Sequence, residues 1–473
     1  MSNPKATPDP DSQPPSRNGH AVQPTSDNLR KQRLRLRDLH VRFKHWFTDR
    51  YDLAALDVAL ATAAVEQLDG DPVWLLLVAG ASTAKTETVS QLKTCARVHE
   101  VSTLTSEAAL LSASKRDEKA PNATGGLLEQ IGPSGVLIIK DFTSILSMHP
   151  STRGPLLAAL REVFDGYWDR YKGTDGGAGL HWSGRIVVIG AVTTSWDKHH
   201  SVVAEMGDRF VLLRIDSRDV DSREAFGLKA IENISSETEY RNELRAAVRQ
   251  LIWAVDPTDA PQLTDDERQR IFQAANLASY ARTAVDTDYK GNVIDSHAPE
   301  GPARLAKQLT QLFRGLYVVG VSRQRAMRLV IRCARDCVPP LRLQVLEYLA
   351  AHPDSLTGDV RKGIQKPHAT VDRVIQALVA LGLVEQDEAL LQVQTVAGNK
   401  TSWRFRVVEG VDVAALKLPK VRRSGNDRGP KPPPHAPGMT GEATPISSHS
   451  STVKPGARPT CGNAESAETP IEF

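Results

Sequence analysis

The chain has little of what a secreted or membrane-spanning protein requires. Its four cysteines, Cys95, Cys333, Cys337 and Cys461, are too few and too scattered for a disulfide framework. Cys333 and Cys337 lie one helical turn apart, but no second pair completes a metal site, so both read as reduced packing residues. No apolar run is long enough to cross a bilayer, which excludes a membrane-spanning role from the expectations. The polar, Pro-rich start has no apolar signal core, and a cytoplasmic location is expected. Charge of one sign is also lacking: the net charge is only +3, so the whole chain is not a polycation. Aromatic residues make up only 5%, yet the 40% apolar content over 473 residues suffices for two or three buried cores.

The composition changes along the chain. Residues 1–27 and 411–473 are rich in Pro, Ser, Gly and Asn, and both are expected to be disordered tails. A basic stretch from Arg30 to Arg50 opens a helical linker over 28–70, and a second basic cluster from Lys417 to Lys431 opens the C-terminal tail. Such clusters suit nucleic acid or another acidic partner, although a solvated charge run has the same composition. Between them, strand-like and helix-like segments alternate over 71–216, which argues for a parallel sheet flanked by helices. From Ser217 the pattern reads as wholly helical to Cys337, giving a helical segment over 217–338 and a further module over 339–410.

The segment VWLLLVAGASTAKTETVSQL, from Val73 to Leu92, carries the main chemical signal. An apolar strand, a small-residue turn, Lys85-Thr86 and a helical pattern together form the layout of a phosphate-binding P-loop. Gly80, Ala81, Ser82, Thr83, Ala84, Lys85 and Thr86 would form the cradle, with Lys85 on the outer phosphates and Thr86 on Mg²⁺. Ala79 and Ala84 occupy positions that the motif gives to glycine, and each restricts the loop. The bland alternative is a strand–turn–helix with a solvated Lys85.

Three later strands add candidates. GVLIIKDFTSIL ends at Asp141, which suits a Mg²⁺-linked carboxylate, but Phe142 follows where a glutamate base is usual. Asp141 is therefore read as the metal-linked residue, with Glu162 as a substitute base; in the other register Asp141 is itself the base. A turn-capping Asp141 is the structural alternative. RIVVIGAVTTSWD ends in Thr193 and Thr194, on a strand expected between the first two strand ends, where a hydroxyl can position water. EMGDRFVLLRID supplies Arg209 and Arg214, which also suit ordinary ion pairs. Asp197, His199 and His200 in SWDKHH are too few for a metal site and read as structural or solvated.

In this order the elements resemble the AAA+ ATPases over roughly Asp52–Val338. The resemblance implies an α/β AAA+ P-loop core with a helical lid, binding ATP and Mg²⁺. By analogy Lys85 and Thr86 are the Walker A residues, Asp141 is the Walker B acid, and Thr193 or Thr194 is sensor 1. Arg209 looks like an arginine finger directed at the next subunit, and Arg304 in PARLAKQLTQL looks like sensor 2. Arg304 also stands at a helix start, where its charge opposes the helix dipole, a local disadvantage that favours a functional role. A homo-oligomeric ring, a hexamer, follows from the same analogy.

Two segments suggest what such a core acts on. FDGYWDRYKGTDGGAGLHWSGR reads as a hairpin with Arg170 and Lys172 among aromatics, and resembles the pore hairpin of MCM and superfamily III helicases. MCM proteins also share the Ala-Lys form of the P-loop. Alternatively, the hairpin packs its aromatics on its own domain. Over 339–410, three helices and a β-hairpin resemble a winged helix–turn–helix. His368, Thr370 and Arg373 would face the DNA major groove, with Lys400 and Arg404 on the wing. The combination is similar to ATPases of phages and mobile elements. It implies an ATP-dependent, DNA-acting AAA+ ATPase, helicase-like or a replication-initiation motor. Two rivals stand beside it: a nucleotide-regulated DNA-binding protein with little hydrolysis, and a defence or signalling ATPase whose winged helix binds protein.

Overall fold

The computed structural model describes residues 26–81, 83–112, 126–171, 179–199, 209–389, 394–395, 398–399 and 402–420. The expected tails lie outside these residues except for their inner ends. There, Ser26 caps the first helix, and Val413–Leu416 forms a 3₁₀ turn that buries Leu416.

Helix α1 (Asp27–Trp46) buries Leu29, Leu36, Leu39 and Phe43 along one face and leaves its arginines outside. Helix α2 (Leu53–Ala64) begins at the Asp52 cap and is buried almost all round, which its small alanines allow. The chain then enters β1 (Trp74–Val78), every residue of which is buried, as a central parallel strand requires. After the loop come α3 (Lys85–Ser90), a 3₁₀ turn over Gln91–Thr94, and β2 (Val98–Val101). The short helices α4 (Glu107–Leu110) and α5 (Leu127–Ile131) precede β3 (Ser134–Ile139), α6 (Phe142–Leu146) and α7 (Pro150–Asp165). An antiparallel hairpin, β4 (Tyr167–Tyr171) and β5 (Gly179–Ser183), leads into β6 (Arg185–Val192) and β7 (Val211–Arg214).

The five long-range strands form one parallel sheet in the order β2-β3-β6-β1-β7. Val78 pairs with Val192 on one side and Arg214 on the other, so three strands end together at one edge. Below that edge, the rings of Trp74, Phe142, Trp196 and Phe210 form a buried cluster, with Phe142 and Phe210 5.1 Å apart.

The region after the sheet contains helices α8 (Val220–Glu232), α9 (Glu237–Trp253) and α10 (Asp265–Ala281). The expected unbroken helical run is then interrupted. A hairpin of β8 (Val285–Thr287) and β9 (Val293–Ser296) turns through Asp288–Asn292, a polar segment with glycine that favours a turn over a helix. Helices α11 (Ala303–Val318) and α12 (Arg323–Cys337) follow. Gly315 lets α11 approach α2 closely, since a Cβ there would meet the Ala61 carbonyl oxygen at 2.4 Å. Buried Gln308 on α11 accepts from the Trp74 amide at 3.0 Å and donates to the Arg209 carbonyl at 3.0 Å, fixing the helix to the starts of β1 and β7.

The C-terminal module is α13 (Pro340–Ala351), β10 (Ser355–Leu356), α14 (Thr357–Ile364), α15 (His368–Ala380), β11 (Val384–Ala389) and β14 (Ser402–Val407). Between the last two lie the short paired strands β12 (Gln394–Thr395) and β13 (Gly398–Asn399). Strands β10, β14 and β11 form a three-stranded antiparallel sheet beside the three helices. Arg342 of α13 donates to the Ala281 and Thr283 carbonyls, at 3.0 and 2.6 Å, and so ties the module to the end of α10. Burial lowers its pKa to about 10. Among the described residues, no helix is long and apolar enough to cross a membrane.

One buried carboxylate ties together the N-terminal helices and α12. Asp57, fully buried on α2, faces His40 of α1 at 2.5 Å and accepts two bonds from Arg325 of α12, at 3.0 and 2.8 Å. Removing one partner leaves a buried charge under-compensated, which is the costly case for an ion pair. Arg325→Met is therefore expected to lower unfolding free energy in urea by about 3 kcal/mol. Adding Asp57→Asn should restore part of that loss, and strictly additive losses would contradict the assignment.

Candidate functional site

The loop after β1 sits at the carboxyl edge of the sheet, where open parallel sheets place their ligand crevices. Ala79 is fixed by its amide on the Val192 carbonyl at 3.2 Å, and the Gly80 amide donates to the Ser217 hydroxyl at 3.3 Å. Ala84 has φ +58°, the left-handed region. The glycine expected at this position by the motif would adopt it freely, whereas alanine is strained.

Lys85 is buried and folds back over the loop. Its ammonium donates to the Ala79 carbonyl at 3.0 Å, to the Gly80 carbonyl, and to the Thr83 hydroxyl at 3.2 Å. Burial lowers its pKa to about 8, against the opposing pull of the Asp141 carboxylate. Among the described residues, the amides of Ala84, Lys85, Thr86 and Glu87 have no hydrogen-bond acceptor. A partly desolvated cation and a run of amides without acceptors among the described residues, at a sheet edge, match the chemistry of a polyphosphate. Ser82 lies outside the described residues; Ala81 and Thr86 are exposed.

Asp141 and Thr193 come together beside this loop. The Asp141 carboxylate caps α6, accepting from the Thr143 amide at 3.0 Å and the Ser144 amide at 3.3 Å. The Thr143 hydroxyl in turn accepts the Thr193 amide at 3.0 Å and donates to the Thr193 hydroxyl at 3.4 Å. Thr193 caps the 3₁₀ turn over Thr194–Lys198, and Thr194 is exposed. Thus Asp141 has the capping role named as its structural alternative, while remaining exposed next to Lys85.

Several other candidates lie elsewhere. Arg209 precedes β7 at the amino edge of the sheet, opposite the loop. Its guanidinium is buried, paired with Asp165 at 2.8 Å and held 5.6 Å from the Phe164 ring centroid. This is the ordinary ion-pair arrangement, and a finger extended to a neighbour would require that pair to open. Arg304 pairs with Glu300 at 2.8 Å, and Glu300 also holds Arg282, which donates to the Phe210 carbonyl at 3.3 Å. Sensor 2 is therefore corrected: Arg304 belongs to the amino-edge network, and Glu300, one turn before it, offsets the unfavourable dipole. Glu162 is likewise near the end of α7, three residues before Asp165, so it does not replace the missing base at Asp141.

Arg214 makes two bonds to Asp197, at 2.9 and 2.7 Å, so Asp197 is an ion-pair partner. Among the described residues, no cluster of three or more His, Cys, Asp or Glu residues could hold a metal ion. His200 lies outside the described residues.

The neighbouring cavity was not legible in the sequence. It has a volume of about 1270 Å³ and is bounded on one side by Gly80, Thr83 and Ala84. Trp46, Phe47, Tyr51 and Tyr240 contribute to its wall, and Phe47 and Tyr51 stack with centroids 5.2 Å apart. Tyr51 is anchored to Thr88 of α3 through a 2.7 Å hydroxyl contact. Helix α8, with no buried residue of its own, closes another side. The aromatic residues come from α1, the turn after it and α9, so no local motif announced them.

The expected hairpin is present, but its tryptophans serve the core: Trp168 and Trp182 are buried opposite each other. Arg170 is drawn to Glu107 and to the Leu111 carbonyl, the latter at 3.1 Å, and Lys172 lies outside the described residues. In the C-terminal module, His368 and Thr370 are exposed at the start of α15. Arg373 donates to the Lys290 carbonyl at 2.8 Å, and Arg404 to the Asp354 carbonyl at 3.2 Å. Lys400 lies outside the described residues.

Residues 343–388 match the IclR helix-turn-helix domain. This helix-turn-helix runs from α13 through most of β11 and includes α15, as the second and third helices of the expected module require. No curated protein matches the chain by sequence. A solved structure described as the A form apo structure of NrS-1 C terminal region-CTR is 12% identical, covering 82% of this chain and 76% of its own, with a TM-score of 0.20. That score supports neither a shared fold nor a shared activity.

The strained Ala84 gives a direct test of the loop conformation. Ala84→Gly is expected to raise unfolding free energy by about 1 kcal/mol, while Ala84→Val lowers it. Urea denaturation of both variants checks this, and a destabilised glycine variant would show that the left-handed geometry is not populated.

Proposed function

We propose that the chain is a P-loop ATPase of the AAA+ kind that acts on DNA through its helix-turn-helix. The observation carrying the nucleotide half is Lys85, a buried ammonium resting on its own loop carbonyls, beside an aromatic cavity and backbone amides that have no acceptor among the described residues. In this reading the loop amides and Lys85 hold the phosphates of ATP, and the base enters the cavity near Tyr51 and Tyr240. Thr86 and Asp141 would hold Mg²⁺, whose role is to neutralise phosphate charge. Thr193 would orient a water, a role supported by the position of β6 between β1 and β3.

The DNA half rests on the helix-turn-helix match and on the exposed His368 and Thr370 at the start of α15. The AAA+ resemblance also implies a ring; sedimentation of the chain with and without ATP tests that assembly.

A second reading, a nucleotide-regulated DNA-binding protein with little turnover, is favoured by one observation. Phe142, where a base is usual, is fully buried in the aromatic core, and Glu162 lies toward the other edge. ATPase turnover with and without single- and double-stranded DNA separates the two: strong stimulation supports the motor, and slow, unaffected turnover supports the regulator.

Binding itself has a pH signature. An anion favours the charged form of Lys85, so ATP affinity should fall as pH rises through about 8, where the amine becomes neutral. Lys85→Ala should weaken ATP binding at neutral pH by roughly tenfold or more, the scale of one charged hydrogen bond, and flatten the pH profile. Calorimetric titration between pH 7 and pH 9 checks both; an unchanged affinity in Lys85→Ala would refute the site.

A further inference from the structure

The hairpin β8–β9 is not used by the reading above, and it lies on the helix-turn-helix. On α15 the buried residues are Val371, Ile375, Ala377 and Leu378, while Ala369, Arg373, Gln376 and Ala380 fall on the opposite, outward stripe. The hairpin contacts this stripe at two points. Arg373 donates to the Lys290 carbonyl at 2.8 Å, and the Ser296 hydroxyl donates to the Ala380 carbonyl at 3.0 Å. Gly291, at φ +83°, lets the turn lie against the guanidinium: a Cβ there would fall 3.2 Å from the Arg373 Cζ and Nε atoms.

The turn is rigid in its own right. The Asp288 carboxylate accepts from the Lys290 and Asn292 amides, both at 2.8 Å, and from the Asn292 side chain at 2.9 Å. These backbone bonds hold the Asp288 carboxyl below its ordinary pKa, with the Asn292 amide the largest cause. Arg342 fixes the first helix of the module to Ala281 and Thr283, at the root of the same hairpin.

A major groove is about 12 Å wide and an α-helix with side chains about 10–12 Å, so the groove admits one helix and no ribbon lying on it. The hairpin also carries Asp286, Asp288 and Asp295 against Lys290, a charge balance that phosphates repel. We infer that β8–β9 is an autoinhibitory cover on the recognition helix, holding Arg373 away from DNA until the hairpin lifts. The N-terminal turn of α15, with His368 and Thr370, stays open for first contact. Because the hairpin joins α10 to α11, it links the helices packed on the sheet to the DNA-reading helix.

This inference rests on the DNA-binding reading, and the test separates the two. Binding of a labelled mixed-sequence duplex is measured by fluorescence anisotropy at fixed salt, using the full chain. Gly291→Val pushes the turn off Arg373 and Ser296→Ala removes the second contact; neither changes charge. Gly291→Val should bind about tenfold more tightly than wild type, by releasing the fraction held closed, and Ser296→Ala should shift in the same direction. Arg373→Ala should erase the gain in the Gly291→Val background. Should Gly291→Val fail to fold, Ser296→Ala carries the test. Equal or weaker binding by the variants overturns the cover while leaving the DNA reading intact. No binding by any form overturns the DNA reading and the cover with it.

Discussion

The insertion of β6 between β1 and β3 is the constraint on which the site depends. Parallel pairing of β6 with both neighbours brings the end of β1, the Asp141 cap and Thr193 to one edge, although they are far apart in the chain. The same pairing sets the β4–β5 hairpin at the other edge, and the pairing of β7 with β1 sets Arg209 there, because both enter strands rather than leave them. Buried apolar strands make this register hard to slip, since a shift by one residue would turn the buried set of each strand to the wrong face. The β1–α3 loop is thus positioned by sheet pairing more than by its own sequence, which explains how it accommodates a strained alanine.

Around that edge the chain spends burial on charge. Lys85 is desolvated on carbonyls, Asp57 is buried between His40 and Arg325, and Asp336 is raised to about pKa 6 by burial despite its arginine neighbours. The last two have partners on other elements, Asp57 on two helices and Asp336 on strand β7, and act as joints. Lys85 differs because its partners are neutral carbonyls and a hydroxyl, an arrangement that an anion improves. The contrast sets Lys85 apart from these two structural carboxylates without reference to any motif.

Much of this was legible in the chain. The strand–helix alternation yielded the parallel sheet, the loop between β1 and α3 was located by its apolar strand and Lys-Thr pair, and the three helices with a hairpin yielded the C-terminal helix-turn-helix. What escaped was set by distant partners. Periodicity placed Arg304 on a helix but could not say that Glu300 and Arg282 hold it at the far edge. The aromatic wall of the cavity draws on residues from Trp46 to Tyr240, and the short β8–β9 hairpin was hidden in a stretch that otherwise reads as helical. Trp168 and Trp182 alternate with basic residues as a nucleic-acid surface would, yet both are buried opposite each other, with the Trp182 indole donating to the Gly132 carbonyl.

The central claim is that the β1–α3 loop and the aromatic cavity beside it form one nucleotide site. Photolabelling with 8-azido-ATP followed by peptide mapping tests it most directly. Label concentrated on peptides that contain Trp46–Tyr51 or Tyr240, and displaced by excess ATP, is the result the account predicts. Displaceable label confined to peptides remote from this cavity would contradict it.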